Sequence, residues 1–219
     1  MESDIFKMYD RLYQYFVPQH WWPAESDFEI IVGAVLTQST SWKNVEKALL
    51  PLRRKGLLTP QAIDHLPLER LAALIRPCGF YRVKAKRLKA LVGWIVHQYG
   101  GSLDRMFSEN PTRLRQELLA IRGIGPETAD AILLYAGRFP LFVVDAYTRR
   151  IFSRHLLIDE QADYNQVQRF FMDRLPNEQK IFNEYHALIV ETGKRFCKTR
   201  KTEAKCSECP LVNFHYIPP

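Results

Sequence analysis

The sequence predicts an all-α protein, and three observations carry that prediction. Apolar residues recur at helical spacing along most of the chain, capping residues stand just ahead of these runs, and few segments alternate with strand period. The first fifteen residues are charged and amphipathic. Ser26 followed by Glu29 reads as a capping box opening a helix through Phe28, Ile31, Val32, Val35 and Leu36. Thr59-Pro60 and Asn110-Pro111 each place a capping residue before a first-turn proline, where a missing N–H leaves no bond unmade. Leu88, Leu91, Val92, Ile95 and Tyr99 make one apolar face that ends at Gly100-Gly101. Asp163 with Gln166 opens another helix, and Asn177 a further one running to about Lys194. Leu141 to Val144 is apolar and β-branched but too short to imply a sheet. The expectation is about ten helices joined by short loops.

At 219 residues the chain is long enough for a full core, as one large domain or two small lobes. No apolar run is long enough to cross a membrane, so a cytoplasmic, nucleoid-associated location is the default expectation. Thirty-one Lys and Arg against twenty-four Asp and Glu leave a net charge of +7, which favours a polyanionic partner. The basic residues cluster. Arg76, Arg82, Lys84, Lys86, Arg87 and Lys89 interleave with Phe80 and Tyr81; Arg149, Arg150 and Arg154 form a second group. Lys194, Arg195, Lys198, Arg200, Lys201 and Lys205 form a third. Each is read either as a solvated face or, taken together, as a phosphate track.

The most informative stretch runs from Leu118 to Arg150, LLAIRGIGPETADAILLYAGRFPLFVVDAYTRR. Gly123, Ile124 and Gly125 form a turn that glycine allows without a side chain in the way. Gly125 then caps a helix whose first turn takes Pro126, and the unpaired N–H groups of that turn suit a nucleic-acid phosphate. An apolar run follows and stops at a single acid, Asp145, which is also well placed to cap the next helix.

Leu119, Gly123, Ile124, Gly125, Thr128, Ala129, Val144 and Asp145 together resemble the helix-hairpin-helix DNA glycosylases of the endonuclease III superfamily. The resemblance implies a two-lobed endonuclease III-like fold with a C-terminal metal-cluster loop. Residues 27–136 would form a helical barrel lobe containing the hairpin (114–136). Residues 1–26 with 137–219 would form the second lobe, ending in a cysteine-rich loop (197–215). It further implies that Gly123, Ile124, Gly125 and Thr128 bind DNA; from the basic clusters, Arg149 and Lys84 are expected to contact DNA as well. Asp145 would be the catalytic carboxylate, stabilising positive charge on the sugar and orienting the attacking water. Lyase members carry a lysine two residues past the second hairpin glycine, and here that position is Glu127, so a monofunctional enzyme is expected.

Trp21-Trp22-Pro23, Gly33-Ala34-Val35-Leu36-Thr37-Gln38 and Pro77-Cys78-Gly79-Phe80-Tyr81 narrow the likeness to the 3-methyladenine DNA glycosylase branch. In that branch Trp21, Trp22, Pro23, Trp42 and Glu127 would line the base pocket, and Gln38 would fill the gap left by a flipped base. Aromatic faces and an acid suit the cationic bases 3-methyladenine and 7-methylguanine. The readings held beside it are a glycosylase and lyase for oxidised or mismatched bases, and a non-catalytic DNA lesion-binding protein. The implied partner is damaged double-stranded DNA, bound by a monomer.

Cys197, Cys206 and Cys209 form a C-x8-C-x2-C array, and three such cysteines argue for metal over disulfide. Relatives in the superfamily hold a [4Fe–4S] cluster with four cysteines, the last two separated by five residues. His215 occupies that fourth position here, so a Cys3His [4Fe–4S] site is expected, with zinc or no metal as alternatives.

Overall fold

The computed structural model describes residues 4–200 and 205–214. Among these residues the chain is helical, without a strand. Twelve α-helices are present, more than the expected number because short connecting helices add to the long ones. They run α1 Asp4–Phe16, α2 Asp27–Leu36, α3 Trp42–Arg54, α4 Pro60–His65, α5 Leu68–Leu74, α6 Tyr81–Tyr99, α7 Leu103–Phe107, α8 Pro111–Ala120, α9 Pro126–Ala131, α10 Ala146–Arg154, α11 Tyr164–Met172 and α12 Gln179–Arg195. The chain divides into two compact units, one spanning Trp22–Phe139 and one made of the segments before Trp22 and from Pro140 onward. No helix among the described residues is long and apolar enough to cross a membrane.

Most of the caps legible in the sequence form as expected. Thr59 accepts from the Ala62 N–H, and Asn110 accepts from those of Thr112 and Arg113, each ahead of its proline. Asp163 and Gln166 make the full reciprocal box. At α2 only half the box exists. Ser26 Oγ accepts from the Glu29 N–H, but the Glu29 carboxylate accepts from the Glu25 N–H and pairs with Arg53. Glu29 is 1 % exposed, so it is drawn to a cation that can compensate its charge. The last long helix begins two residues after Asn177, with Glu178 at its N-cap and no side-chain cap.

In the Trp22–Phe139 unit, α2 is the central helix: every residue from Phe28 to Leu36 is buried. It packs against α6, α3 and the segment after α9. α9 does not stop at Ala131 but continues as a π-helical turn over Ile132–Ala136, all of it buried. Such turns keep the backbone hydrogen-bonded while shifting the register of side chains.

In the other unit, α1 and α10 pack on α12. Its core is aromatic. Phe142 stacks on Phe171 with centroids 4.1 Å apart and 5° between planes, and Phe152, Phe182 and Tyr185 meet this pair edge-on. The buried Tyr185 hydroxyl donates to the Ile5 carbonyl at 2.9 Å, fastening α12 to α1. Leu141–Val144 does not form a strand: Phe142, Val143 and Val144 are buried in the core and Gln168 donates to the Phe142 carbonyl at 2.7 Å. A buried backbone group must find a partner, and here a side chain supplies it.

Candidate active site

The hairpin is built by α8, the turn at 121–125 and α9. Gly123 has φ +92°, in the region that favours glycine. A Cβ there would lie 2.4–2.7 Å from three side-chain atoms of Arg87, so the missing side chain also makes room for that guanidinium arm. Gly125 is extended and caps α9 with Pro126 in the first turn, as the sequence indicates. Ile124 and Thr128 are buried, pinning both ends of the turn to the core. Arg115 on α8 holds Asp130 on α9 by two bonds, 2.6 and 3.0 Å, and Asp130 is fully buried.

Gln38, at the end of α2, is bound into this hairpin. Its amide donates to the Gly123 carbonyl at 3.1 Å and to Thr128 Oγ1 at 2.9 Å, and its oxygen accepts from Arg87 at 2.6 Å. In this arrangement Gln38 stitches the turn to α2 and α6, and entering a DNA stack would require breaking all three bonds. In the same unit Trp22 meets Trp42 edge-on at 5.2 Å and 89°, and Tyr135 at 5.2 Å and 60°. Gly33 of α2 provides the seat, since a Cβ there would come within 3.1 Å of the Trp22 indole. Tyr135 is carried by the π turn, and the sequence reading missed it because no local pattern marks a π register. Glu127 is exposed on the first turn of α9, and Pro23 is exposed beside Trp22.

Asp145 belongs to the other unit, at the N-cap of α10. Its Oδ1 accepts from the Thr148 N–H at 2.7 Å and from the Thr148 hydroxyl at 2.9 Å, so the expected capping role is filled. Its Oδ2 faces Nε2 of His186 on α12 at 3.7 Å. Burial pushes the His186 imidazole below its ordinary range, against the raising pull of the Asp145 charge. The sequence reading did not single out His186. Trp21, half-buried in this unit, carries the Lys194 ammonium 5.9 Å from its ring centroid.

A conserved-domain model for the HhH-GPD superfamily base excision DNA repair proteins matches residues 32–177, which takes in the hairpin and Asp145. The chain belongs to the HhH-GPD superfamily. It is 48% identical over 211 residues to a protein of Methanocaldococcus jannaschii named as a DNA repair glycosylase, covering 96% of this chain and 94% of that protein. It is 30% identical over 188 residues to endonuclease III of Sulfolobus acidocaldarius, covering 85% of this chain and 80% of that protein. A crystal structure of H. pylori 3-methyladenine DNA glycosylase (MagIII) bound to 1,N6-ethenoadenine aligns with TM-score 0.77 and 32% identity, over 88% of this chain and 98% of that one. An endonuclease III–DNA covalent intermediate shares the fold, with TM-score 0.82 and 24% identity over 98% and 96% of the two chains. The protein is therefore a base-excision-repair DNA glycosylase, an enzyme that cleaves the N-glycosyl bond of a base in DNA.

Two of the glycosylase's expected phosphate contacts are engaged elsewhere. Lys84 is 1 % exposed, and its ammonium donates to the Leu36 carbonyl at 2.9 Å and the Cys78 carbonyl at 2.6 Å. Burial lowers its pKa, and the two carbonyls replace the water it has lost. It ties α6 to the end of α2 and is corrected from a surface contact to a core residue. Arg149 is half-buried and donates to the Ala162 carbonyl at 2.5 Å. In the run 76–89, Lys89 likewise donates to the carbonyls of Ile63 and Asp64, which leaves Arg76, Arg82 and Lys86 exposed. Phe80 stands among these, 72 % exposed, at φ +45°. A bulky residue in the left-handed region is strained, and here the strain presents a ring to solvent.

At the C-terminus of the glycosylase, Cys206 is exposed, Cys197 half-buried and Cys209 buried. Burial raises the Cys209 thiol, and charge on Cys197 and Cys206 raises it further. Arg154 holds this region to α10, donating to Cys197 Sγ at 3.1 Å and to the carbonyls of Lys198 and Thr199 at 2.8 and 2.9 Å. Among the described residues no three potential ligands stand close enough together to hold a metal ion, so these thiols as placed do not make a cage. His215 lies outside the described residues.

Proposed function

We propose that this glycosylase is monofunctional and releases alkylated purines, 3-methyladenine and 7-methylguanine first among them, from double-stranded DNA as a monomer. The observation that carries the reading is the aromatic group of Trp22, Trp42 and Tyr135. The half-buried indoles of Trp22 and Trp42 stand perpendicular to one another, and such faces stack a flipped base and attract a cationic one, while the buried Tyr135 backs Trp22. The 32% identity to a 3-methyladenine enzyme seen with an adenine derivative supports the same substrate class. Glu127, standing where the lyase members carry lysine, supports release without strand cleavage: a carboxylate cannot form a Schiff base with the sugar.

Asp145 is the proposed catalytic carboxylate. A glycosidic bond already weakened by alkylation needs little help to leave, so the demand falls on stabilising the sugar cation and orienting water. Asp145 serves both, because Thr148 fixes one carboxylate oxygen and leaves the other available. Gly123 to Gly125, with Thr128 behind them, form the proposed phosphate grip. Exposed Phe80, flanked by Arg76 and Arg82, has the shape of a wedge between base pairs. For Cys197, Cys206, Cys209 and His215 the proposed occupant is a [4Fe–4S] cluster with a structural role, supported by the spacing of the three cysteines in the sequence, by the likeness to endonuclease III and by the arginine tether from α10.

The test is base release from duplex DNA methylated in vitro, resolving the two bases and scoring strand nicks. Release without nicking is expected from the wild type. Asp145→Asn should lower release by roughly 10²–10³-fold while DNA affinity holds. Nicking in step with release, or release only from oxidised DNA, would overturn the substrate reading in favour of an endonuclease III-like activity. Unchanged release in Asp145→Asn would remove the catalytic assignment.

A further inference from the structure

The two carboxylate oxygens of Asp145 have different surroundings. Oδ1 is saturated by the backbone and hydroxyl of Thr148. Oδ2 lies 3.7 Å from Nε2 of His186, and the two side chains are 11 % and 10 % exposed. That separation is longer than a hydrogen bond, so the attraction is one of charge and dipole, acting where water screens it poorly. His186 is carried on α12, which packs on α10. Two turns further along the same face is Gly193, where a Cβ would fall 2.1 Å from the Tyr147 ring. The close approach of α12 to the start of α10 is therefore built in, and it brings the imidazole edge to the carboxylate.

We propose that His186 is a positioning residue for the glycosylase reaction: its Nε2 edge holds Oδ2 of Asp145, so the carboxylate keeps a single orientation. An apolar side chain in its place would exclude water without orienting the oxygen. A permanent cation would hold the oxygen but cancel the charge needed to stabilise the sugar cation. An imidazole kept neutral by burial supplies polarity without a full counter-charge. The inference rests on Asp145 being the catalytic carboxylate.

The experiment is single-turnover base release by His186→Leu, His186→Gln and Asp145→Asn, on whichever damaged duplex the wild type acts. Affinity for an abasic-site duplex and melting temperature are measured alongside. Leu should lower the single-turnover rate by about tenfold or more with DNA affinity unchanged, and Gln, which restores an N–H dipole facing the carboxylate, should recover most of it. Should His186→Leu not fold, His186→Phe, which keeps a ring of similar width, replaces it in the same comparison. A rate within about twofold of wild type in the apolar variant, or a Gln variant as slow as the apolar one, overturns the role of His186. Loss of the Asp145 assignment reads out separately, as full activity in Asp145→Asn.

Discussion

Gly123 answers to two constraints at once. Its φ of +92° disfavours any side chain, and the space a Cβ would fill is occupied by Arg87. Arg87 in turn holds Gln38, which bonds the Gly123 carbonyl and Thr128. Gly123→Ala should therefore do more than strain one residue at about 1–2 kcal/mol. By displacing Arg87 it should loosen Gln38 from the turn, and the expected outcome is a lower melting temperature together with weaker binding to undamaged duplex. Fluorescence anisotropy and thermal melting check this; an alanine variant that binds and melts like the wild type would refute it. His186 gives a second residue-scale prediction. Its folded pKa lies below the ordinary 6.5, so the unfolded chain takes up the proton first on acidification. The stability that the neutral imidazole contributes is present above about pH 6.5 and is lost as pH falls through the folded value. Melts from pH 8 to 5 should show a loss that His186→Gln lacks.

Between α8 and α9 the ion pair of Arg115 with Asp130 makes the hairpin a unit of its own. Asp130 is fully buried, and its bidentate partner is 21% exposed. Removing the cation would take from a buried carboxylate its bidentate charge partner, so Arg115→Met should destabilise by roughly 3–5 kcal/mol near neutral pH. Chemical denaturation measures it, and a loss under about 1 kcal/mol would mean that other groups hold Asp130 without the guanidinium. The helices themselves were largely legible, because caps and periodicity are local: Thr59, Asn110 and Asp163 each cap the helix their spacing announces. Departures come where a longer-range partner outcompetes the local one. Glu29 turns to Arg53, and α9 runs on as a π turn because Ile132–Ala136 packs against α2.

At the scale of the molecule, the C-terminal cysteines carry a prediction with a direct chemical readout. If they hold a [4Fe–4S] cluster, purified protein should contain iron and acid-labile sulfide in matching amounts, and Cys206→Ser should abolish both and lower the melting temperature. Zinc without sulfide would assign the rival site, and neither element would leave the arginines of α10 as the tether of this segment. By itself the sequence determined the helical class, the hairpin turn, the acid that caps α10 and the family to which they belong. These features rest on local rules: helical period, glycine at a positive φ, and side-chain caps within a few residues. Only the tertiary structure decided which charged and polar groups are available. Lys84, Lys89, Arg149 and Gln38 are spent on carbonyls and side chains inside the fold, while Arg76, Arg82 and Phe80 remain outside. It also decided that Tyr135 joins the tryptophans and that His186 meets Asp145. The physical reason is that desolvation is set by neighbours distant in sequence: a lysine written into a basic run looks like its exposed companions until packing removes its water and supplies carbonyls instead.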